Sequence, residues 1–209
     1  MKKFKMPFIA ALVIMITAAC TFQNQDDEVY KTLQPGDVAP MLDYKMQSIS
    51  GENLSLNDLK EENGMLVIFS CNTCPFVVAW EDRYPELADI ASQNEIGFAL
   101  INSNQAKRDG EDSFDEMQRH ATEKGYGDAP YLVDENSALA NAFGAKTTPH
   151  VFLFNQDMTL VYVGAIDDNF KDASKVKETF LEDAINNMIE GNEITPNTTK
   201  AIGCSIKRV

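Results

Sequence analysis

Positive charge is scarce in this sequence: 18 lysines and arginines stand against 32 aspartates and glutamates over 209 residues, a net charge of −14. Such a surface repels phosphate backbones and anionic lipid head groups, which argues against nucleic acid as a partner. Long apolar runs are scarce too. The N-terminal one, Phe8 to Ala19, has twelve residues, against the roughly 20 that a membrane-crossing helix needs. Histidine is limited to His120 and His150, and cysteine to Cys20, Cys71, Cys74 and Cys204. That is too few for a disulfide scaffold. A zinc site on Cys71 and Cys74 would have to borrow Cys204, His120 or His150, none of which forms a second close pair, so no metal and no cofactor are expected. No internal repeat is visible. The 44% apolar content suits a single domain with short accessory segments.

What is present at the N-terminus reads as an export signal over residues 1–19. Lys2, Lys3 and Lys5 form a basic start, Phe8 to Ile16 an apolar centre, and Thr17-Ala18-Ala19 a small-residue end, in the order of a secretory leader. The placement of Cys20 resembles a bacterial lipoprotein signal, which implies lipidation of Cys20 and anchoring on the extracytoplasmic side of a bacterial cell envelope. The polar stretch "TFQNQDDEVYKT" then serves as a tether, residues 20–34. With Cys20 acylated, three cysteines remain, an odd number for structural pairing.

Hydrophobic patterning gives an alternation of strands and helices. "MLDYKMQSISGENLSLNDL" predicts a hairpin turning at Ser50-Gly51, and "MLVIF" (65–69) and "IGFALIN" (96–102) are buried strands. Between them Phe76, Val77, Trp80, Tyr84, Leu87 and Ala91 recur at helical spacing, with Pro85 expected to kink the helix. Ser113 and Glu116 can open a further helix. "YLVD", "NSALANAFGA", "HVFLF" and "LVYVG" predict strand, helix and a hairpin turning at 155–157. A last helix is expected from about Ser174 to Glu190. This order implies an α/β fold with a central mixed sheet flanked by helices and an N-terminal hairpin extension.

The chemistry concentrates in "FSCNTCPFVVAW" (69–80). A loop as short as Cys71–Cys74 gains little stability from closure, so a bond there is chemical rather than structural. Proline is tolerated in the first turn of a helix, where N–H groups lack internal partners. With Cys71 as N-cap, Asn72 to Pro75 would be the first helical positions, and the helix end would favour a thiolate at Cys71. Cys71 would then attack a substrate disulfide and Cys74 would resolve the mixed disulfide.

Strand, C-x-x-C and helix in this order resemble the thioredoxin superfamily over residues 35–190, with 191–209 as a C-terminal tail. "CNTCPFV", "INSN", "YLVDEN", "AIDDN" and "TKAIGCSIK" look like the peroxiredoxin-like redoxin branch. The resemblance implies a cis-proline at Pro149 beside the cysteine pair, with the Thr148 backbone free to pair with an extended substrate. It implies protein or small-molecule thiols and disulfides as substrates, together with a redox partner. Some positions depart from the parent families. Ser70 and Asn72-Thr73 replace the tryptophan and Gly-Pro of thioredoxin, and the strand before the pair carries no acid. In the peroxiredoxin frame P-x-x-x-T-x-x-C, Cys71 stands at the threonine and Val67 at the proline.

Three readings follow: a membrane-tethered thiol-disulfide oxidoreductase, a thiol peroxidase, and a non-enzymatic module whose pair is a structural bond or a metal site. His150, after Pro149, is a candidate auxiliary for proton transfer. Cys204 is a candidate third thiol, and His120 is expected on a solvated surface. Asp167 to Asn169 suit a turn cap.

Overall fold

The computed structural model describes Met1 and residues 30–209. Cys20 and the expected leader beyond Met1 lie outside the described residues. The predicted hairpin is present as β1 (Met46–Ser48) and β2 (Asn53–Leu54). A short helix α1 (Leu56–Leu59) follows, opened by a capping box between Ser55 and Asp58.

The two apolar runs form β3 (Gly64–Ser70) and β4 (Ile96–Asn102), parallel neighbours buried along their whole length. Burial on both faces is why they read as unbroken apolar stretches rather than as alternating ones. Helices α2 (Pro75–Trp80) and α3 (Tyr84–Gln93) connect them, and α4 (Phe114–Glu123) leads to β5 (Tyr131–Val133). Next come α5 (Ala138–Phe143), β6 (Thr147–Thr148), β7 (His150–Phe154) and β8 (Leu160–Gly164). The chain closes with α6 (Phe180–Glu190) and β9 (Cys204–Ser205).

Seven strands form one mixed sheet in the order β2-β1-β5-β4-β3-β7-β8, while β6 and β9 pair separately. Alternate residues of β3 feed two cores. Leu66 and Ile68 pack with α2, α3, α4 and α6, whereas Met65, Val67 and Phe69 pack with α1 and α5. This is a thioredoxin-like α/β fold with β3 inside the sheet between β4 and β7, and the C-terminal end of β3 delivers Cys71. Among the described residues no helix is long and apolar enough to cross a membrane.

Three helix expectations change. The α2 helix begins at Pro75 with Cys74, not Cys71, as N-cap. Proline is pre-organised for the first helical position, and it pushes the residue before it into extended backbone. Cys74 accordingly sits at φ −65°, ψ 124°. Pro85 does not kink one long helix. The helix breaks at a 3-10 turn over Glu81–Arg83, and Pro85 lies in the first turn of α3. The last helix starts at Phe180, after a separate 3-10 turn at Ala173–Lys175.

Candidate active site

The segment between the two cysteines is fixed by a buried polar frame. The Asn72 backbone N–H donates to Asp112 Oδ1 at 2.9 Å, and its side-chain amide donates to the Glu111 carbonyl at 2.8 Å. Asp112, fully buried, also accepts from Asn102 Nδ2 at 2.8 Å and Asn104 Nδ2 at 2.9 Å. The Tyr131 hydroxyl donates to Asn72 Oδ1 at 3.0 Å. Each of these groups would cost about 1–3 kcal/mol if buried without a partner, so the network holds the C-x-x-C loop in one conformation. Asp112 was not legible as a site residue. It lies among Asp109, Glu111 and Asp115, and nothing in the pattern separates it from its exposed neighbours.

Above this frame lie the thiols. Cys71 and Cys74 are free, 2% and 5% exposed, on the sheet face that packs α2, α3, α4 and α6. The Cys71 sulfur lies 3.3 Å from Thr148 Oγ1, and the Cys74 thiol donates to the Thr148 carbonyl at 3.1 Å. The Thr148–Pro149 bond is cis. The structure thus gathers Cys71, Cys74, Thr148 and Pro149 at one point.

The two thiols are coupled: their hydrogen bond lowers the pKa of Cys74 as it raises that of Cys71. Cys74 is the thiol pulled towards ionisation, chiefly by the Cys71 thiol and next by Cys204. The amides of Val77 and Cys204 contribute less, and no formed cap hydrogen bond involves the Cys74 side chain. Cys71 is held protonated by its bond to Cys74, by burial and by the charge of Asp112.

The Thr148 backbone is not free. Residues Thr147–Thr148 pair antiparallel with Cys204–Ser205, with Thr148 opposite Cys204. Gly203 allows this approach, since a Cβ there would lie 2.3 Å from the Thr148 carbonyl oxygen. The tail is held further back by Thr199, whose N–H donates to the Val163 carbonyl at 3.0 Å. Cys204, half-buried, packs against the cluster that contains Cys71 and Cys74.

His150 is placed elsewhere. Its ring packs on Phe152 at 4.6 Å, which belongs to the core on the other sheet face, and Nδ1 accepts the Lys146 N–H at 3.3 Å. Burial, with Lys146 nearby, pushes its pKa down to about 3. His120 is buried rather than solvated, because it shares the inward stripe of α4 with Met117 and Ala121. Its Nε2 lies 2.7 Å from Glu81 Oε2, and Lys124 reaches Glu81 Oε1 at 2.6 Å. Asp167 does cap its turn, accepting from the Asn169 N–H at 2.8 Å, and it also accepts the Trp80 indole N–H at 2.8 Å. Among the described residues no three His, Cys, Asp or Glu side chains are arranged to hold a metal ion.

The Redoxin family model matches residues 34–179. The chain belongs to the redoxin family. Its fold is shared with an uncharacterized conserved protein of Geobacillus kaustophilus at 31% identity and TM-score 0.78, covering 86% of this chain and 94% of that one. A hypothetical protein of Sinorhizobium meliloti 1021 gives 28% identity and TM-score 0.77, over 86% and 97% of the two chains. The peroxidoxin BcpB of Mycobacterium tuberculosis, at 15% identity and TM-score 0.57, covers 76% and 97% and shares the fold. No curated protein matches the sequence. Membership of the redoxin family, together with the paired thiols, supports a thiol redox function.

Proposed function

We propose that this redoxin exchanges thiols and disulfides through Cys71 and Cys74, and that Cys74 rather than Cys71 is the attacking sulfur. The observation that carries this reading is the pair itself: two buried thiols in mutual contact at the start of α2, beside Thr148-Pro149. The Cys74 thiolate attacks one sulfur of a client disulfide and the other sulfur leaves as a thiolate. Cys71 then attacks the Cys74 sulfur of the mixed disulfide, closing the Cys71–Cys74 bond and releasing the client's second thiol. The Cys71 proton goes to that leaving sulfur. Thr148 and Pro149 line the approach. Lipidation at Cys20 would place the domain at the extracytoplasmic face of a cell envelope, facing client and partner thiols there.

Equilibration of the full chain in glutathione buffers, followed by alkylation and peptide mapping, tests the pair. Cys71 and Cys74 should titrate together as one two-electron couple. A potential near about −270 mV would mark a reductant and one near about −120 mV an oxidant. Absence of the Cys71–Cys74 bond at every buffer ratio would refute the exchange reading. A thiol peroxidase is the second reading, favoured by one observation: the charged sulfur, Cys74, stands at the cysteine of the P-x-x-x-T-x-x-C frame. Rapid peroxide consumption by the reduced chain, lost in Cys74→Ser, would support it.

A further inference from the structure

We propose that Cys204 is a third redox residue of this site, delivered by the C-terminal tail, which lies on the Thr147–Thr148 edge as an extended client would. The inference rests on the exchange reading above and extends it to the route by which the buried pair meets other thiols.

Three observations converge. An extended peptide recognised by strand addition aligns its backbone antiparallel or parallel to an open edge and presents side chains at alternate positions. The tail does this to itself, with Cys204 directly across from Thr148. Thr148 is also the residue that touches both thiols of the pair. The position where a client sulfur would be presented therefore already holds a sulfur. Next, the approach is built rather than incidental. Gly203 has no side chain where a Cβ would collide with the Thr148 carbonyl, and the tail is tied on both sides of the contact. Ile206 N–H donates to the Lys146 carbonyl at 3.0 Å, Lys207 N–H to Asn104 Oδ1 at 2.8 Å, and Thr199 N–H to Val163. Lastly, Cys71 and Cys74 are almost wholly covered, whereas Cys204 is only half-buried. Thiol exchange requires in-line access to a sulfur, and of the three Cys204 offers it best.

The step balances without an outside oxidant once the pair is oxidised. The Cys204 thiolate attacks the Cys74 sulfur of the Cys71–Cys74 disulfide. The Cys74–Cys204 bond forms as the Cys71–Cys74 bond breaks, and the electron pair leaves on Cys71, which takes up the proton that Cys204 gave. Cys204 is thereby oxidised and Cys71 reduced. An external thiolate then attacks the Cys204 sulfur, and Cys74 departs as a thiolate, the form its surroundings favour. Burial and the neighbouring Cys74 hold the Cys204 thiol protonated in the reduced site. Capture of Cys74 in a disulfide removes the second influence at the moment Cys204 is needed as a nucleophile.

The test uses the full chain and its Cys71→Ser and Cys204→Ser variants, each treated with diamide, quenched by alkylation and mapped without reduction. Wild type should yield the Cys71–Cys74 bond, and Cys71→Ser a Cys74–Cys204 bond at a rate independent of protein concentration. Oxidised Cys204→Ser should be reduced by glutathione at least about tenfold more slowly than oxidised wild type, because external thiols then have only the covered pair to attack. If Cys71→Ser forms no Cys74–Cys204 bond while wild type still forms Cys71–Cys74, the role of Cys204 is overturned and exchange through the pair stands. Equal reduction rates for wild type and Cys204→Ser would also overturn it. If neither bond forms in any chain, both readings fall together.

Discussion

The cysteine pair is held between two structures of opposite character. Beneath it, Asn72, Asn102, Asn104, Asp112 and Tyr131 form a buried frame in which Asp112 alone accepts from three nitrogen donors. Above it, the tail contributes a two-residue ladder and a half-buried cysteine. The frame has no route to relax without leaving polar groups dry, so it fixes where Cys71 and Cys74 lie. The tail is tied down at several points, including the Lys207 N–H donating to Asn104 Oδ1 of the frame and the Ala165 N–H donating to Thr199 Oγ1, yet it leaves Cys204 half-buried. A site that must both hold two sulfurs and present a third joins a buried side to a half-exposed one.

The difference can be broken from either side. The largest effect should come from the sulfur between them: Cys74→Ser should abolish exchange with a small disulfide, while Cys71→Ser combined with Cys204→Ser should retain the first attack and accumulate a mixed disulfide at Cys74, read by mass spectrometry. Breaking the frame comes next. Asp112→Ala strips three donors of their acceptor and should lower stability by about 3 kcal/mol in urea unfolding. Disturbing the tail should be milder. Gly203→Ala sets a methyl group against the Thr148 carbonyl, so alkylation of Cys71 and Cys74 should accelerate by about tenfold, with a stability loss of about 1–3 kcal/mol.

His150 sharpens the comparison because its ring packs on the opposite sheet face from the pair. Its folded pKa is depressed to about 3 by burial, against about 6.5 in an unfolded chain. Between those values the unfolded state binds a proton that the folded state does not, so stability falls as pH falls from 6.5 towards 3. The slope from this residue approaches about 1.4 kcal/mol per pH unit. His150→Phe should flatten that part of the stability profile and leave exchange rates unchanged, if its ring serves packing on Phe152 alone.

Strand identity was legible because β3, β4 and β7 are apolar runs whose burial on both faces leaves no competing pattern. The C-x-x-C pair and Pro149 were legible because spacing and flanking strand fix their meaning. First-turn tolerance alone leaves several positions open to Pro75, whereas the restriction on the residue before proline leaves only the first. That restriction makes Cys74 rather than Cys71 the N-cap. The frame and the tail were hidden for a different reason. Asp112 and Cys204 lie 38 and 130 residues beyond Cys74 in sequence, and local pattern carries no information on which distant loop folds back over a site.

Which of the two sulfurs ionises first decides which of them attacks in exchange. Reduced full-length chain should be pulse-alkylated with iodoacetamide across a pH series, and the labelled peptides of Cys71 and Cys74 quantified separately. Labelling of Cys74 should persist well below the pH at which a free thiol stops reacting, with Cys71 unlabelled throughout that range. Preferential labelling of Cys71, or a profile for Cys74 like that of an ordinary thiol near pH 8.5, would contradict attack by Cys74.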